Sequence, residues 1–327
     1  MSPPAPAAES GSTRHLLLGV DGGGTSTDAW LAESATLILG RGRSGPANAK
    51  AVGLEAARRA IAEAIDRAFR DAGIEPRPVE AACLGIAGFG RPDDREVLVR
   101  WSGEAGWCRR LILATDGDLV VAAGTPEGWG VGLISGTGSI AVARAPDGRT
   151  SRAGGWGFLM GDEGSAYAVA VEALKWVARR ADGRLPSPPP GPDGQDPLTR
   201  ALCRALGVDQ PSRIIARIHA PDFDRTRIAA LAPAVLEAAE EDPAVSAGLI
   251  RSAGEDLAGM VMAAARALDL DPAPLPLATA GGFLLAAEPI HEALVEELAA
   301  HGYNARVSKV AEPVRGAVVL AERALSA

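Results

Sequence analysis

Two short glycine-rich turns contain residue types that bind phosphate. The first consists of Asp21, Gly22, Gly23, Gly24, Thr25 and Ser26, directly after an apolar run at 16–20. Glycines let the backbone approach a ligand closely, and successive N–H groups can form an anion-binding nest. The hydroxyls of Thr25 and Ser26 add donors, and Asp21 can hold Mg²⁺ through water. A tight hairpin turn with one acidic residue is the alternative, and this turn alone leaves both interpretations open.

The second turn consists of Gly136, Thr137, Gly138 and Ser139, after the apolar run 130–135. It repeats the order of the first region: an apolar strand, a glycine–threonine turn, a strand and another turn. This echo predicts two domains built on one plan, each with a phosphate-sized turn, although so short a repeat also arises by coincidence.

Two common nucleotide motifs are excluded. The sequence contains no G-x-x-x-x-G-K-[ST], so the chain is not a P-loop NTPase. A G-x-G-x-x-G match occurs at Gly40, Gly42 and Gly45, but Pro46 follows directly and no helix opens there. We interpret that match as chance.

Asp116 follows the apolar run 111–114, at the carboxyl end of a predicted strand, where α/β sheets bind ligands. It could act as a general base that accepts a proton from a substrate hydroxyl. The alternative is that Asp116 or Asp118 caps the helix that follows. The residues alone favour the cap.

The segment 154–167 (GGWGFLMGDEGSAY) combines five glycines, the two acids Asp162 and Glu163, and aromatic side chains, just before a predicted helix at 165–178. Carboxylates that bind sugar hydroxyls beside an aromatic wall would explain this composition. The alternative is an elaborate turn whose acids favour the helix N-terminus. We favour the binding function.

The elements around these motifs alternate between strands and helices, which indicates an α/β fold with a mixed sheet. Apolar runs predict strands at 16–20, 28–32, 36–39, 79–86, 110–114, 130–135, 140–144, 275–280 and 306–310. Apolar residues at steps of three or four predict helices at 53–72, 290–301 and 313–324, and helical patterns dominate 225–268. The Pro- and Gly-rich segment 182–197 predicts a surface loop within the second half, and residues 1–14 a disordered tail.

The amino-acid composition also disfavours several functional classes of protein. Hydrophobic residues make up 47% of the 327 residues, and the net charge is −8, which disfavours binding to nucleic acid or an anionic membrane. No apolar run is long enough for a membrane span, and the N-terminus lacks a signal-peptide pattern. The three scattered cysteines fit a reducing cytoplasm rather than a disulfide framework or zinc cluster.

In this order and spacing, the turns at 21–25 and 135–139, the loop 154–167 and the pair Gly281-Gly282 resemble the sugar kinase, heat-shock ATPase and actin superfamily. More closely, they are similar to the N-acetylglucosamine kinases grouped with the BadF/BadG/BcrA/BcrD-type ATPases. The resemblance covers about 15–325. It implies a two-domain, actin-like (ribonuclease H-like) α/β fold with a ligand cleft between domains 15–115 and 116–311, with the helix at 312–327 packing back onto the first.

The resemblance also implies roles for individual residues. ATP and Mg²⁺ would be the cofactors, with an amino sugar as the second small-molecule substrate, Asp116 as catalytic base and Asp21 at the metal. Nucleotide contacts would come from Gly22, Gly23, Gly24, Thr25, Ser26, Gly136, Thr137, Gly138, Gly281 and Gly282. Sugar contacts would come from Asn48, Asp116, Gly155, Trp156, Gly157, Asp162 and Glu163.

Transfer to the 6-hydroxyl of N-acetylglucosamine is the expected reaction, in a protein that is often a dimer. Ile140 departs from the family pattern, in which an asparagine often follows the SGTGS run and reaches the sugar. Glucosamine and N-acetylmuramic acid therefore stay open as substrates. Two alternatives belong to other classes. The cysteine positions disfavour an activator-type ATPase with an iron–sulfur cluster. The presence of Asp116 with both phosphate turns disfavours a non-enzymatic sugar sensor.

Overall fold

The computed structural model describes residues 15–87, 92–186 and 195–326. The chain divides into two compact units. Unit 1 contains the described residues up to Leu119 and resumes at Val314, whereas unit 2 runs from Val120 to Pro313. The predicted tail at 1–14 and the centre of the predicted loop, 187–194, lie outside the described residues. Across the described ranges, no helix combines the length and apolar character needed to cross a membrane.

Each unit contains a five-stranded sheet. The strands of unit 1 are β1 (Leu17–Gly22), β2 (Thr27–Ser34), β3 (Leu37–Ser44), β4 (Val79–Ile86) and β5 (Cys108–Ala114). Those of unit 2 are β6 (Gly130–Ser135), β7 (Ser139–Arg144), β8 (Thr150–Gly154), β9 (Leu275–Ala280) and β10 (Ala305–Lys309).

The helices pack around these sheets. Those that begin in unit 1 are α1 (Ala49–Val52), α2 (Leu54–Asp71), α3 (Pro92–Ala105) and α4 (Asp116–Gly124). Those of unit 2 are α5 (Ala166–Ala181), α6 (Pro197–Leu206), α7 (Ile214–Ile218), α8 (Arg225–Ala229), α9 (Pro233–Glu241), α10 (Pro243–Arg266), α11 (Gly282–Ala286) and α12 (Glu288–Ala300). The last helix, α13 (Val314–Ser326), returns to unit 1.

The two sheets share one topology. In unit 1 the order is β3-β2-β1-β4-β5, with antiparallel pairing among the first three strands and parallel pairing of β1 with β4 and β4 with β5. In unit 2 the order β8-β7-β6-β9-β10 shows the same pattern of pairing directions. The predicted α/β class and the predicted repeat are therefore confirmed. In each unit the glycine–threonine turn joins the central strand to its antiparallel neighbour.

Strand β3 is longer than predicted, because it continues through the chance G-x-G-x-x-G match. Gly40 and Gly42 lie within the strand, opposite Leu31 and Ala29 of β2. A Cβ on Gly42 would lie 1.9 Å from the carbonyl oxygen of Ala64 in α2, so the missing side chain lets helix and strand approach closely. The strand predicted from the sequence ends at Leu39, because glycine has a low β-strand propensity and Gly40 follows. Packing against α2 thus explains Gly40 and Gly42, and the interpretation of the match as chance stays a prediction.

The core of unit 1 lies on both faces of its sheet. One face packs against α2, through side chains such as Ile61, Ile65 and Phe69. The other face packs against α13, where Leu17 and Val318 are fully buried. The spacing of the apolar residues makes both helices amphipathic, so that each buries one side against the sheet.

Candidate functional site

The first turn in unit 1 keeps several backbone donors free. The amide of Gly23 donates to the carbonyl of Ser26 at 2.9 Å and closes the turn. Among the described residues, the amides of Gly24, Thr25 and Ser26 have no acceptor. Gly24 and Thr25 are also exposed. Three successive N–H groups that have no acceptor within the protein can together donate hydrogen bonds to an anion.

Asn48 is held beside this turn by the backbone. The amides of Ala47 and Asn48 both donate to the carbonyl of Gly23, at 3.0 and 3.2 Å. On the other side, the hydroxyl of Thr27 donates to the carbonyl of Gly45 at 2.7 Å. The structure therefore brings the predicted sugar ligand Asn48 next to the predicted phosphate turn, within one unit.

Two carboxylates of unit 1 lie close enough to influence each other. Burial raises the pKa of Asp21 to about 7, with further contributions from the negative charges of Asp116 and Asp28. Burial likewise raises the pKa of Asp116, against the opposing effect of a hydrogen bond from the Gly117 amide. Asp21 lies near the carboxyl end of β1 and Asp116 lies just beyond the carboxyl end of β5, and β4 lies between these two strands in the sheet.

Asp116 does not cap helix α4. Thr115 does so: its hydroxyl accepts from the amide of Asp118 at 3.2 Å. In return, the carboxylate of Asp118 accepts from the amide and the hydroxyl of Thr115, at 2.9 and 2.8 Å. This reciprocal pair is a capping box. The interpretation of Asp116 as the cap is thus wrong, and its carboxylate instead accepts from the adjacent Gly117 amide at 2.9 Å.

The second turn, in unit 2, also has backbone amides without an acceptor. The amide of Gly136 donates to the carbonyl of Gly138 at 2.9 Å, and that of Ser139 to Asp162 at 3.3 Å. The amides of Thr137 and Gly138 have no acceptor within the described part of the chain. These two N–H groups can receive an anion from outside the protein.

The second turn and the loop 154–165 form one hydrogen-bonded structure. The hydroxyl of Ser135 donates to the carbonyl of Gly164 at 3.0 Å, and that of Ser139 to the carbonyl of Glu163 at 2.6 Å. The amide of Gly155 in turn donates to the carbonyl of Ser139 at 3.0 Å. The two serines that bracket the turn thus anchor the loop, a role that their position in the motif does not reveal.

Asp162 is buried inside this structure. Its Oδ1 accepts from the Ser139 amide, and its Oδ2 accepts from Nη2 of Arg225 at 2.8 Å. A Cβ on Gly138 would lie 2.8 Å from Asp162 Oδ1 and 2.9 Å from Arg225 Nη2. Glycine at 138 therefore makes room for this ion pair. Arg225 was not found from the sequence, because it lies 63 positions from Asp162 and belongs to no short motif.

The other predicted sugar residues form the outer part of the loop. Trp156 is 63% exposed, and the guanidinium of Arg152 lies 5.4 Å from its ring centroid. Gly155 and Gly157 have positive φ, 68° and 81°, and lie on either side of Trp156. Glu163 is exposed. Together they present an aromatic face and a carboxylate to solvent.

Gly281 and Gly282 lie between the second turn and an apolar cavity of unit 2. Gly281 packs against the carbonyl of Ser135. Gly282 and Phe283 line a cavity of about 480 Å³, whose lining also includes Ala229, Ala230 and Pro233. An apolar cavity beside a turn with free backbone amides would suit the base of a nucleotide.

The structure thus gathers the predicted residues into two sets. Asp21, the 22–26 turn, Asn48 and Asp116 belong to unit 1, whereas the 136–139 turn, the 155–163 loop and Gly281-Gly282 belong to unit 2. Among the described residues, no group of three or more His, Cys, Asp or Glu side chains is arranged to hold a metal ion.

The fold is thus an α/β fold of two units with one topology, and each unit has a turn with free backbone amides after its central strand. The chain belongs to the BadF/BadG/BcrA/BcrD ATPase family, whose model matches residues 18–321.

Similar proteins are known from several organisms. An N-acetylmuramic acid/N-acetylglucosamine kinase of Clostridium acetobutylicum is 28% identical and aligns over 82% of this chain and 85% of its own. An N-acetyl-D-glucosamine kinase of Dictyostelium discoideum is 27% identical over 94% of this chain and 98% of its own. A solved structure from Chromobacterium violaceum, described as a candidate N-acetylglucosamine kinase, is 31% identical, with a TM-score of 0.71 and coverage of 94% and 98%.

Proposed function

We propose that the chain is an ATP-dependent kinase that transfers the γ-phosphoryl group to the 6-hydroxyl of N-acetylglucosamine. The observation that carries this proposal is Asp116, a partly buried carboxylate at the carboxyl end of β5 that takes no part in the helix cap beside it. A carboxylate that does not cap the helix and lies beside a turn of free amides is suited to act as a general base next to a phosphate group. Relatives that phosphorylate amino sugars support the substrate class.

Both turns contribute phosphate contacts in this proposal. The free amides of Gly24, Thr25 and Ser26 in unit 1, and of Thr137 and Gly138 in unit 2, donate to phosphate oxygens. Such backbone donors are already oriented, so they stabilise charge on the phosphate without reorganisation during the reaction. The net charge of −8 makes local donors necessary, since the chain as a whole repels anions. The adenine base occupies the apolar cavity beside Gly282.

Asp116 accepts the proton of the sugar hydroxyl as its oxygen attacks the γ-phosphorus. The new P–O bond forms while the bond between the γ-phosphorus and the bridging oxygen breaks, and ADP leaves. Burial raises the pKa of Asp116, which makes its carboxylate a better proton acceptor than an exposed aspartate. Most of the rate then comes from positioning and charge stabilisation.

Asp21 is the residue that would hold Mg²⁺. Its carboxylate is desolvated beside Asp116, and a divalent cation would offset the repulsion that raises its pKa. Mg²⁺ retains several waters and takes phosphate oxygens as ligands, so it needs no cage of protein side chains. When bound, it neutralises charge on the transferring phosphoryl group.

The sugar is held by Asn48 and by the loop that contains Trp156, Asp162 and Glu163. The exposed Trp156 ring provides an apolar wall for a sugar face, and Glu163 accepts from hydroxyl groups. Asp162 already bonds Ser139 and Arg225, so we expect it to shape the loop as well as to receive a sugar hydroxyl.

N-Acetylmuramic acid is the second candidate substrate, because the Clostridium relative is named for both sugars. We further expect a homodimer that works in the cytoplasm, where ATP is available and free thiols persist. Cys83, Cys108 and Cys203 are all free.

The decisive test is ADP release with Mg-ATP in the presence of N-acetylglucosamine, glucosamine, N-acetylmuramic acid or no sugar, followed by ³¹P-coupled NMR of the product. We expect strong stimulation by N-acetylglucosamine and phosphate on its oxygen 6. Stimulation by N-acetylmuramic acid alone would replace the substrate and keep the kinase. ADP release that ignores every sugar would contradict the proposal and favour an activator-type ATPase.

A further inference from the structure

The guanidinium of Arg225 lies between the second turn and the substrate loop. Its Nη2 donates to Oδ2 of Asp162 at 2.8 Å and to the carbonyl of Thr137 at 3.4 Å. The guanidinium also lies 5.3 Å from the ring centroid of Phe158, a residue of the loop. One cation therefore contacts the turn, the buried carboxylate and the loop together.

The surroundings hold this cation in place. Arg225 begins helix α8, whose N-terminus is capped by Asp224 through the amide of Arg227. The ring centroid of Tyr167 lies 5.8 Å from the guanidinium. The rings of Tyr167 and Phe158 pack edge to face, with their centroids 5.4 Å apart. A planar guanidinium held by two rings and a carboxylate has a defined orientation.

Arg225 thereby influences which way the turn presents its amides. The Thr137 carbonyl belongs to the same planar trans peptide as the Gly138 N–H, so the two groups point in opposite directions. A donor on the carbonyl side favours the orientation in which the Gly138 N–H faces away from Arg225. The Ser139 amide is meanwhile taken by Asp162. The amides left for a ligand are those of Thr137 and Gly138.

Charge supports the same role. Asp162 is only 4% exposed and lies against Gly138, in the turn itself. Without a cation, this buried negative charge would repel a phosphate bound to the turn. Arg225 is the charged partner that the structure gives it.

We propose that Arg225 is a positioning residue that keeps the second turn in its phosphate-binding conformation, acting through Asp162 and the Thr137 carbonyl. The proposal rests on the proposed function only in taking ATP as the ligand of this turn.

The test compares Arg225→Met, Arg225→Lys and the control Arg227→Met by calorimetric titration with Mg-ATP, without sugar. Arg227 lies on the same helix and pairs with Asp222 at the surface. We expect Arg225→Met to weaken ATP binding roughly tenfold or more, since hydrogen bonds to charged groups are of that strength. Arg225→Lys should recover part of the affinity, because it restores the charge without the planar fork. Arg227→Met should bind ATP like the unaltered chain.

A second measurement separates positioning from simple support of the fold. The KM for ATP should rise far more than the KM for the sugar, and Asp162→Asn combined with Arg225→Met should be no worse than the more severe single variant. Equal ATP affinity in Arg225→Met and Arg227→Met, or additive losses in the double variant, would overturn the proposal. If Arg225→Met does not fold, Arg225→Lys should still bind ATP more weakly than Arg227→Met, and equal affinity of these two variants would overturn the proposal.

Failure of the kinase proposal has a different signature. An unaltered chain that binds ATP but phosphorylates no sugar would contradict the proposed function, whereas the titrations would still decide the role of Arg225.

Discussion

Among the single residues of the site, Asp116 and Asp118 lie two positions apart but make different hydrogen bonds. Asp118 bonds Thr115 and completes the start of α4, whereas Asp116 accepts from the adjacent Gly117 amide and is the residue that we propose as the base. Two aspartates two positions apart therefore have different expected phenotypes. One should affect stability and the other the reaction.

We expect Asp116→Asn to lower kcat by roughly 10²–10⁴-fold, because an amide cannot accept the proton, while ATP binding and the melting temperature change little. The matched variant Asp118→Asn should instead cost about 1 kcal/mol of stability by weakening the capping box, with most of kcat retained. Steady-state kinetics and thermal melts of both variants check this. Near-normal turnover in Asp116→Asn would remove Asp116 from the mechanism.

The raised pKa of Asp21 predicts a dependence of stability on pH. Because its folded pKa of about 7 lies above the unfolded value near 3.8, the folded state binds more protons, and stability falls as pH rises from about 4 to 7. Asp21→Asn removes this loss. In EDTA at pH 8 it should be more stable by on the order of 1–3 kcal/mol, less than the full shift implies because Asp21 is partly exposed.

Thermal melts of both chains at pH 5 and pH 8 measure the effect of Asp21. The stabilisation should be smaller at pH 5 than at pH 8, because only part of the loss between about pH 4 and pH 7 has occurred by pH 5, and Mg-ATP should reduce it at pH 8. A stabilisation that does not change between these pH values would show that desolvation of Asp21 is not its cause.

At the scale of elements, close contact between a helix and a strand explains a motif that looks like a nucleotide fingerprint. Gly40 and Gly42 of β3 face the backbone of α2, whereas Gly45 lies beyond the strand with open space around its Cβ position. Only the first two glycines are required by packing.

Gly42→Ala should destabilise the chain by about 3 kcal/mol, since the new methyl group would overlap the Ala64 carbonyl. Gly45→Ala should be neutral or stabilising by up to about 1 kcal/mol, because alanine loses less chain entropy on folding. Chemical denaturation of both variants makes the comparison, and ATP affinity should be unchanged in Gly45→Ala. Equal stability of the two variants would contradict the packing argument.

At the scale of the whole molecule, unit 1 is completed by the end of the chain. Helix α13 covers the face of the unit 1 sheet that contains Leu17, Ala81 and Cys83. Burial raises the pKa of Cys83 to about 12, so its thiol is unreactive while this face is covered. The repeated topology thus includes a unit whose sequence is discontinuous.

A chain that ends at Pro313 should expose Cys83 to a thiol reagent. In a background with Cys108→Ser and Cys203→Ser, we expect labelling at least about tenfold faster than in the full-length chain with the same two changes, because thiol reactivity follows access and thiolate fraction. Reaction with a chromogenic disulfide measures both rates. Equal rates would mean that α13 does not protect this face.

The two glycine–threonine turns, the α/β class and the repeated plan could be predicted from the sequence, whereas the roles of the named site residues stay predictions. These features are local: a turn needs glycines at neighbouring positions, and a buried strand needs a short apolar run. The strands at 79–86, 130–135 and 275–280 were predicted to the residue for this reason.

Three features became visible only in the folded chain: that Thr115 caps α4, why Gly40 and Gly42 are glycines, and that Arg225 pairs with Asp162. A capping box depends on which side chain the helix start orients toward Thr115. The close approach of α2 to β3 and the 63-residue separation of the ion pair depend on contacts between distant segments. Sequence spacing carries no information on such contacts, because packing alone brings those segments together.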